Sequence, residues 1–248
     1  MRTVIVIPAR YKSSRFPGKP LTPLLGKPMI LWVAELCTKA LAKQDVYIAT
    51  EDQRIADVVE EAGFNAIMTS DEALTGTDRL AEAAESIKAD IYLNVQGDEP
   101  LLNPEDILKV LALKKRYPTE IINGYCPIGP EEDPSSINIP KVIFTEDHRL
   151  IYMSRLALPG FKSEEKKPEN YYKQVCIYGF SREELLTYGN FGRKSNLEQS
   201  EDIEILRFLE WGSTIRMVET TPGSLAVDVP GDVPIVEQEL IRQGYVYI

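Results

Sequence analysis

Between Val4 and Val95 short apolar runs alternate with longer amphipathic ones, and this alternation restricts the possible folds more than any other feature of the chain. Val4–Ile7, Val46–Ala49, Asn65–Met68 and Ile91–Val95 read as strands. Ile30–Leu41 places Ile30, Val33, Ala34, Leu36 and Leu41 at helical spacing, and Asp52–Ala62 and Thr77–Ile87 are the other helices of this half. Thr50-Glu51-Asp52 supplies a start signal for the second helix and Gly63 a stop. Strands separated by helices are βαβ units, so the expected class is α/β with a mostly parallel central sheet.

The second half changes character. Ile121–Cys126, Lys141–Phe144, Leu150–Met153 and Val175–Phe180 are strand-like, with segments rich in Pro, Glu and Lys between them. Ser163–Glu169, the most polar stretch, reads as a solvated excursion. Helices resume at Arg182–Tyr188, Glu198–Trp211 and Gly231–Gln243. The expected organisation is one domain over residues 1–248, with a β-rich insertion at about 127–180. At 248 residues and 44% hydrophobic content, the chain can bury a large core.

Strand Val4–Ile7 runs into Pro8-Ala9-Arg10-Tyr11-Lys12-Ser13-Ser14-Arg15-Phe16-Pro17-Gly18-Lys19-Pro20. Arg10, Lys12, Arg15 and Lys19 are four cations in ten residues of a chain whose net charge is −10. Loops beyond strand C-termini form the ligand crevice of open α/β sheets, and clustered cations there suit a polyphosphate. The acidic balance argues against nucleic acid, whose phosphates need basic faces. Cys37, Cys126 and Cys176 are odd in number, lie in apolar contexts and lack metal-ligand spacing, which reads as buried thiols of a reducing compartment. No signal-like or membrane-length apolar run is present, so a cytoplasmic protein without a membrane partner is expected.

Two carboxylates stand out. Asp98 follows the strand Ile91–Val95, and Asp228 follows the apolar run Leu225–Val227, which is read as another strand reaching the same edge. Two acids brought together from distant segments suit a hard-oxygen Mg²⁺ site. Taken alone, Asp98 could equally be a turn residue after Gly97, and Asp228 a helix cap near Pro230.

The stretch Pro8–Leu21 resembles the start of the sugar-activating nucleotidyltransferases, and within them the 3-deoxy-manno-octulosonate (Kdo) cytidylyltransferase, or CMP-Kdo synthetase, family of lipopolysaccharide assembly. The likeness continues in order through Gly26–Ile30, Ala49-Thr50, Thr75–Arg79, Asn94–Pro100, Tyr152–Arg155, Ile177–Phe180, Leu197-Glu198 with Glu201 and Glu204, and Val227-Asp228. It implies a Rossmann-like nucleotidyltransferase fold whose insertion provides acceptor contacts and a homodimer interface. It also implies transfer of CMP from CTP to Kdo, releasing pyrophosphate to give CMP-Kdo. Arg10, Lys19, Asp98 and Asp228 would carry the catalysis, Asp98 and Asp228 holding Mg²⁺. Pro8, Ala9, Arg10, Arg15, Lys19, Thr69, Ser70 and Arg79 would bind CTP. Gln96, Arg155, Gln174, Tyr178 and Glu204 would meet the acceptor, Arg155 taking its carboxylate bidentately. Lys12 matches no fixed position of the family.

The acceptor half departs from the family pattern. Lys173-Gln174 stands where Lys/Arg-His is usual, and Ile205-Leu206-Arg207 where Gln-Leu-Arg is usual. The family's Val-Asp-Thr-Pro-Glu-Asp has become Val227-Asp228-Val229-Pro230-Gly231-Asp232. An 8-amino-Kdo, another ulosonic acid or a phosphonate is therefore an alternative acceptor. UTP or dTTP is an alternative donor, and a catalytically silent nucleotide-binding regulator is an alternative outside enzymes.

Overall fold

The computed structural model describes residues 1–13 and 16–247. It opens with β1 (Thr3–Ala9), followed by a tight hairpin of β2 (Pro23–Leu24) and β3 (Lys27–Pro28) that leads into α1 (Met29–Cys37). β4 (Val46–Thr50), α2 (Gln53–Glu61), β5 (Asn65–Met68), α3 (Gly76–Ser86) and β6 (Ile91–Val95) then alternate as the periodicity requires. Local chemistry sets the helix starts. Asp52 accepts from the Arg54 N–H at 3.0 Å, and Thr75 caps α3 by accepting from the Asp78 N–H at 3.1 Å. Next come α4 (Pro104–Arg116), β7 (Ile121–Pro127), β8 (Lys141–Phe144), β9 (Leu150–Ser154) and β10 (Tyr172–Ser181). The chain ends with α5 (Arg182–Asn190), α6 (Asn196–Glu201), α7 (Leu206–Glu210), β11 (Ile215–Glu219) and α8 (Val233–Arg242).

The main sheet has the order β11-β7-β10-β6-β1-β4-β5. Four of its six pairings are parallel, and the two that flank β10 are antiparallel. The class is α/β with a largely parallel central sheet. β8 and β9 form an antiparallel pair beside the N-terminal end of β10, while β10 itself is woven into the centre of the sheet.

Each face of the sheet carries its own core. Val4, Val6, Tyr92, Tyr178 and Phe180 pack under α3 and α5 with Leu80, Ala84, Leu185 and Phe208. Ile5, Ile7, Ile48, Leu93 and Val95 pack on the other face with Val33, Ile55, Ile107 and Val110. Val4, Ile5, Val6 and Ile7 have no exposed surface, and each contributes about 1.5–3 kcal/mol by burial. A smaller cluster joins Leu24, Met29 and Trp32 to Val227, Val236 and Leu240 of the C-terminal segment, tying that segment to the region beside β1. Among the described residues, no helix is long and apolar enough to cross a membrane.

Two expectations about local structure are corrected. The run Leu225–Val227 is irregular, and the strand of that region is β11, so Asp228 is delivered by a loop and not by a strand end. The single helix expected over Glu198–Trp211 is broken into α6 and α7 at Asp202, whose φ is 51°. The break has a physical cause: the carboxylates of Glu198, Glu201 and Glu204, which a continuous helix would hold on one face, each bond a different part of the molecule. α4 and β11 are further elements for which the sequence reading held no expectation.

Candidate active site

The loop after β1 and the ends of β6 and of the 220s segment meet at one edge of the sheet. The Gly18 N–H donates to Tyr11 O at 2.9 Å, closing the loop, and Lys19 begins a short 3₁₀ turn immediately afterwards. Gly18 has φ 72°, a conformation that suits glycine, and a Cβ there would also meet the Tyr11 ring at 3.2 Å. At the end of β6, a Cβ on Gly97 would lie 3.1 Å from Pro8 O, so glycine allows the Gln96–Asp98 turn to lie directly against β1. The Val227 N–H donates to Asp98 O at 3.0 Å and brings Asp228 alongside. Lys19 Nζ then stands 2.5 Å from Asp98 Oδ2 and 3.9 Å from Asp228 Oδ1. Burial pushes the neighbouring Glu99 carboxyl up to about 7, reinforced by Asp98 and Asp228 and opposed by a hydrogen bond from Ser224 Oγ.

A second wall is built at the N-terminus of α3. Arg79 is buried, and its guanidinium lies 3.2 Å from Glu51, donates to Thr69 Oγ1 and reaches Ser70 O at 3.2 Å. Burial lowers its affinity for the proton, and Glu51 and Glu82 oppose that shift. Ser70 is itself anchored to Glu82 through its N–H at 2.6 Å and its hydroxyl at 2.7 Å. Above this, Glu204 accepts from the Gly76 N–H at 3.1 Å and, on its other oxygen, from the Thr77 N–H at 2.8 Å and Thr77 Oγ1 at 2.6 Å. A carboxylate at the positive end of α3 is electrostatically favoured there. Burial raises the Glu204 pKa and these three donors offset part of the rise.

Three of the residues expected to meet the acceptor, Gln174, Tyr178 and Arg155, stand behind these walls and do not line the cleft. Gln174 Nε2 donates to Asn123 Oδ1 and to the Tyr178 hydroxyl, each at 3.1 Å, beside an irregularity in the β10–β7 register between Val175 and Tyr178. Arg155 donates Nε to Glu201 O, Nη1 to Ile137 O at 2.8 Å and Nη2 to Asp202 O at 3.0 Å. Ser154 Oγ and the Arg155 N–H donate to the Glu201 carboxylate at 2.7 and 2.9 Å. The Ser-Arg pair therefore clamps the turn that follows α6.

Between the walls lies a cleft of about 330 Å³. Pro8, Ala9, Arg10, Lys19, Arg79, Gln96, Asp98, Glu204 and Asp228 line it together. Thr69, Ser70, Arg155, Gln174 and Tyr178 are not among its lining residues, and their polar groups bond protein partners. Arg15 lies outside the described residues. The cleft also includes Lys194 and Asp202, an ion pair at 2.6 Å that the sequence reading did not single out. A lysine between two helices carries no local signal, and its pairing with Asp202 appears only in the fold.

The arrangement joins cations on one lip, a pair of acids at the floor and amide and carboxylate groups opposite, a layout suited to a phosphate-ester donor and a polar acceptor. A family model described as "Cytidylyltransferase" matches residues 4–215. The 3-deoxy-manno-octulosonate cytidylyltransferase of Trichlorobacter lovleyi is 40% identical over 98% of this chain and 100% of its own length. The 8-amino-3,8-dideoxy-manno-octulosonate cytidylyltransferase of Shewanella piezotolerans is 38% identical over 97% and 99%. A solved structure of CMP:2-keto-3-deoxy-manno-octonic acid synthetase complexed with CTP superposes with a TM-score of 0.90 at 35% identity, covering 98% of this chain and 100% of that one. With the matched region spanning the lip and the acidic floor up to Asp98, this chain belongs to the cytidylyltransferase family.

Proposed function

We propose that the protein transfers the cytidylyl group of CTP to Kdo, releasing pyrophosphate. The observation that carries this reading is the convergence of Lys19, Asp98 and Asp228 in one cleft beneath the β1 loop. An acceptor oxygen must attack the α-phosphate in line while pyrophosphate leaves, which calls for positioning and charge neutralisation more than for covalent help from the protein. Arg10 and Lys19 hold the triphosphate. The ends of β1 at Pro8 and Ala9 offer backbone groups to the base, and Arg79, fixed by Thr69 and Ser70, closes that side. Gln96 and Glu204 face the acceptor.

Asp98 and Asp228 fit Mg²⁺: they are hard oxygen donors from separate segments and already bracket a cationic ammonium. Bound there, Mg²⁺ would neutralise charge on the reacting and departing phosphates. We place the enzyme in the cytoplasm as a homodimer, on family resemblance. Ile137, Ile151, Leu156 and Phe161, all exposed on the segment around β8 and β9, support a covered face there.

The test is pyrophosphate release from CTP, Mg²⁺ and Kdo, with mass spectrometry of the nucleotide sugar. 8-amino-Kdo is run as a second acceptor, and UTP and dTTP as alternative donors. CMP-Kdo is the expected product; no pyrophosphate with either acid would sink the proposal.

A further inference from the structure

The acceptor is an acid, so the cleft needs a cation beyond those that hold the triphosphate. Among the described residues, the cationic ones lining it are Arg10, Lys19, Arg79 and Lys194. Arg10 and Lys19 belong to the β1 loop, with Lys19 already between Asp98 and Asp228. Arg79 is pinned by Glu51, Thr69 and Ser70. Arg155, which family resemblance puts forward for this task, has each of its three guanidinium nitrogens on a backbone carbonyl.

Lys194 is differently placed. It arrives from the loop between α5 and α6, lining the cleft with Glu204. Of the three N–H donors of its ammonium, one is taken by Asp202 Oδ1 at 2.6 Å. The Lys194 side chain is 25% exposed and that of Asp202 73%, so the pair is open to solvent on the cleft side of the fold and an incoming anion can displace water from it. Asp202 holds the left-handed conformation that ends α6, and Arg155 grips the carbonyls of Glu201 and Asp202.

We propose that Lys194 is the cation that receives the carboxylate of the acceptor, with Asp202 orienting its ammonium and Arg155 acting as a positioning residue that fixes the turn at Asp202. The inference rests on the reading of the acceptor as a sugar acid. It reassigns carboxylate recognition from a residue that is tied to three backbone carbonyls and does not line the cleft to one that lines it with two of its three N–H donors open.

The experiment compares wild type, Lys194→Met, Lys194→Arg and Arg155→Lys in steady-state kinetics, varying acceptor and CTP separately. Calorimetric titration of Kdo into protein loaded with a non-hydrolysable CTP analogue accompanies it. Losing a charge-assisted hydrogen bond is expected to raise the acceptor KM and Kd of Lys194→Met about tenfold or more, with the CTP KM within about twofold. Lys194→Arg restores most of the loss. Arg155→Lys, which can reach fewer carbonyls, raises the acceptor KM by a smaller factor, about threefold, at near-constant kcat. A Lys194→Met enzyme with unchanged acceptor KM and Kd overturns the inference while leaving the reaction in place, as does one whose CTP KM rises instead. A wild-type protein that neither binds the acid nor releases pyrophosphate sinks the inference and the reaction together.

Discussion

Lys19 and Arg207 are each held by two carboxylates from different parts of the chain, yet the two triads are built on opposite terms. Lys19 touches Asp98 and Asp228 at 2.5 and 3.9 Å in a group whose members are 18%, 26% and 58% exposed. Arg207 has no exposure at all. Its Nε and Nη2 donate to Glu198 at 2.7 Å each, Nη1 and Nη2 donate to Asp78 at 2.8 and 3.2 Å, and Nη1 also donates to Tyr188 O at 3.2 Å. Its guanidinium lies 3.6 Å from the centre of the Tyr188 ring. Burial pulls its pKa down, but the bonds to Glu198 and Asp78 carry it above the ordinary arginine value. A cation with donors to spare and water at hand can exchange a carboxylate for a phosphate. One with its whole fork engaged in a sealed interior cannot, and it serves as a strut joining α3, α6 and α7.

The comparison predicts opposite phenotypes. Asp98→Ala and Asp228→Ala should each lower turnover by about a thousandfold, the scale of losing a principal electrostatic contact to the reacting phosphate. Thermal stability should change little, because the group is partly exposed and Lys19 keeps one of its two carboxylates while the repulsion between them is removed. Pyrophosphate release and a thermal melt on the same preparations check both halves. Turnover within tenfold of wild type for either variant would remove the floor of the cleft from the chemistry.

Arg207→Met should do the reverse. It leaves Asp78 and Glu198 without their cation in the interior, a loss of about 3–5 kcal/mol. A fall of that size in urea unfolding, with near-normal kcat for the fraction that stays folded, would confirm a strut. A stable but inactive Arg207→Met protein would mean that Arg207 acts on substrate and that the contrast with Lys19 is false.

What the sequence makes legible follows the same division. The strand-helix alternation of the first half is local, since it depends on side-chain period and helix caps such as Asp52 and Thr75, and it is read from short windows. The cations of the β1 loop are legible because four of them crowd into a loop of an otherwise acidic chain. Partner choice is not local. Nothing near Arg155 in the chain announces that its guanidinium will reach carbonyls at residues 137, 201 and 202. Glu198, Glu201 and Glu204 have helical spacing, but each finds a stronger tertiary donor and the helix breaks between them. Ile205, where the family resemblance puts an amide, is buried in the core beneath α3 and α5 and so acts through packing. Lys194 is the converse case, an unremarkable lysine in the sequence that the fold places in the cleft beside Asp202.

The smallest effect sets the outer edge of the open group. Lys12 shares the cationic loop with Arg10 and Lys19, yet it does not line the cleft. Its Nζ lies 3.3 Å from Asp71 Oδ2, with the two side chains 79% and 63% exposed. A pair so fully in water contributes between about 0 and 1 kcal/mol and is screened by salt. If position in the cleft decides which loop cations act, Lys12→Ala should change the KM for CTP by less than about twofold at physiological ionic strength, within the weak long-range pull of a screened charge. Initial rates at several CTP concentrations and two salt concentrations are sufficient. A larger rise in KM that persists at high salt would indicate a direct contact between Lys12 and the nucleotide, and the working lip of the cleft would then extend outward along the loop to the Asp71 side.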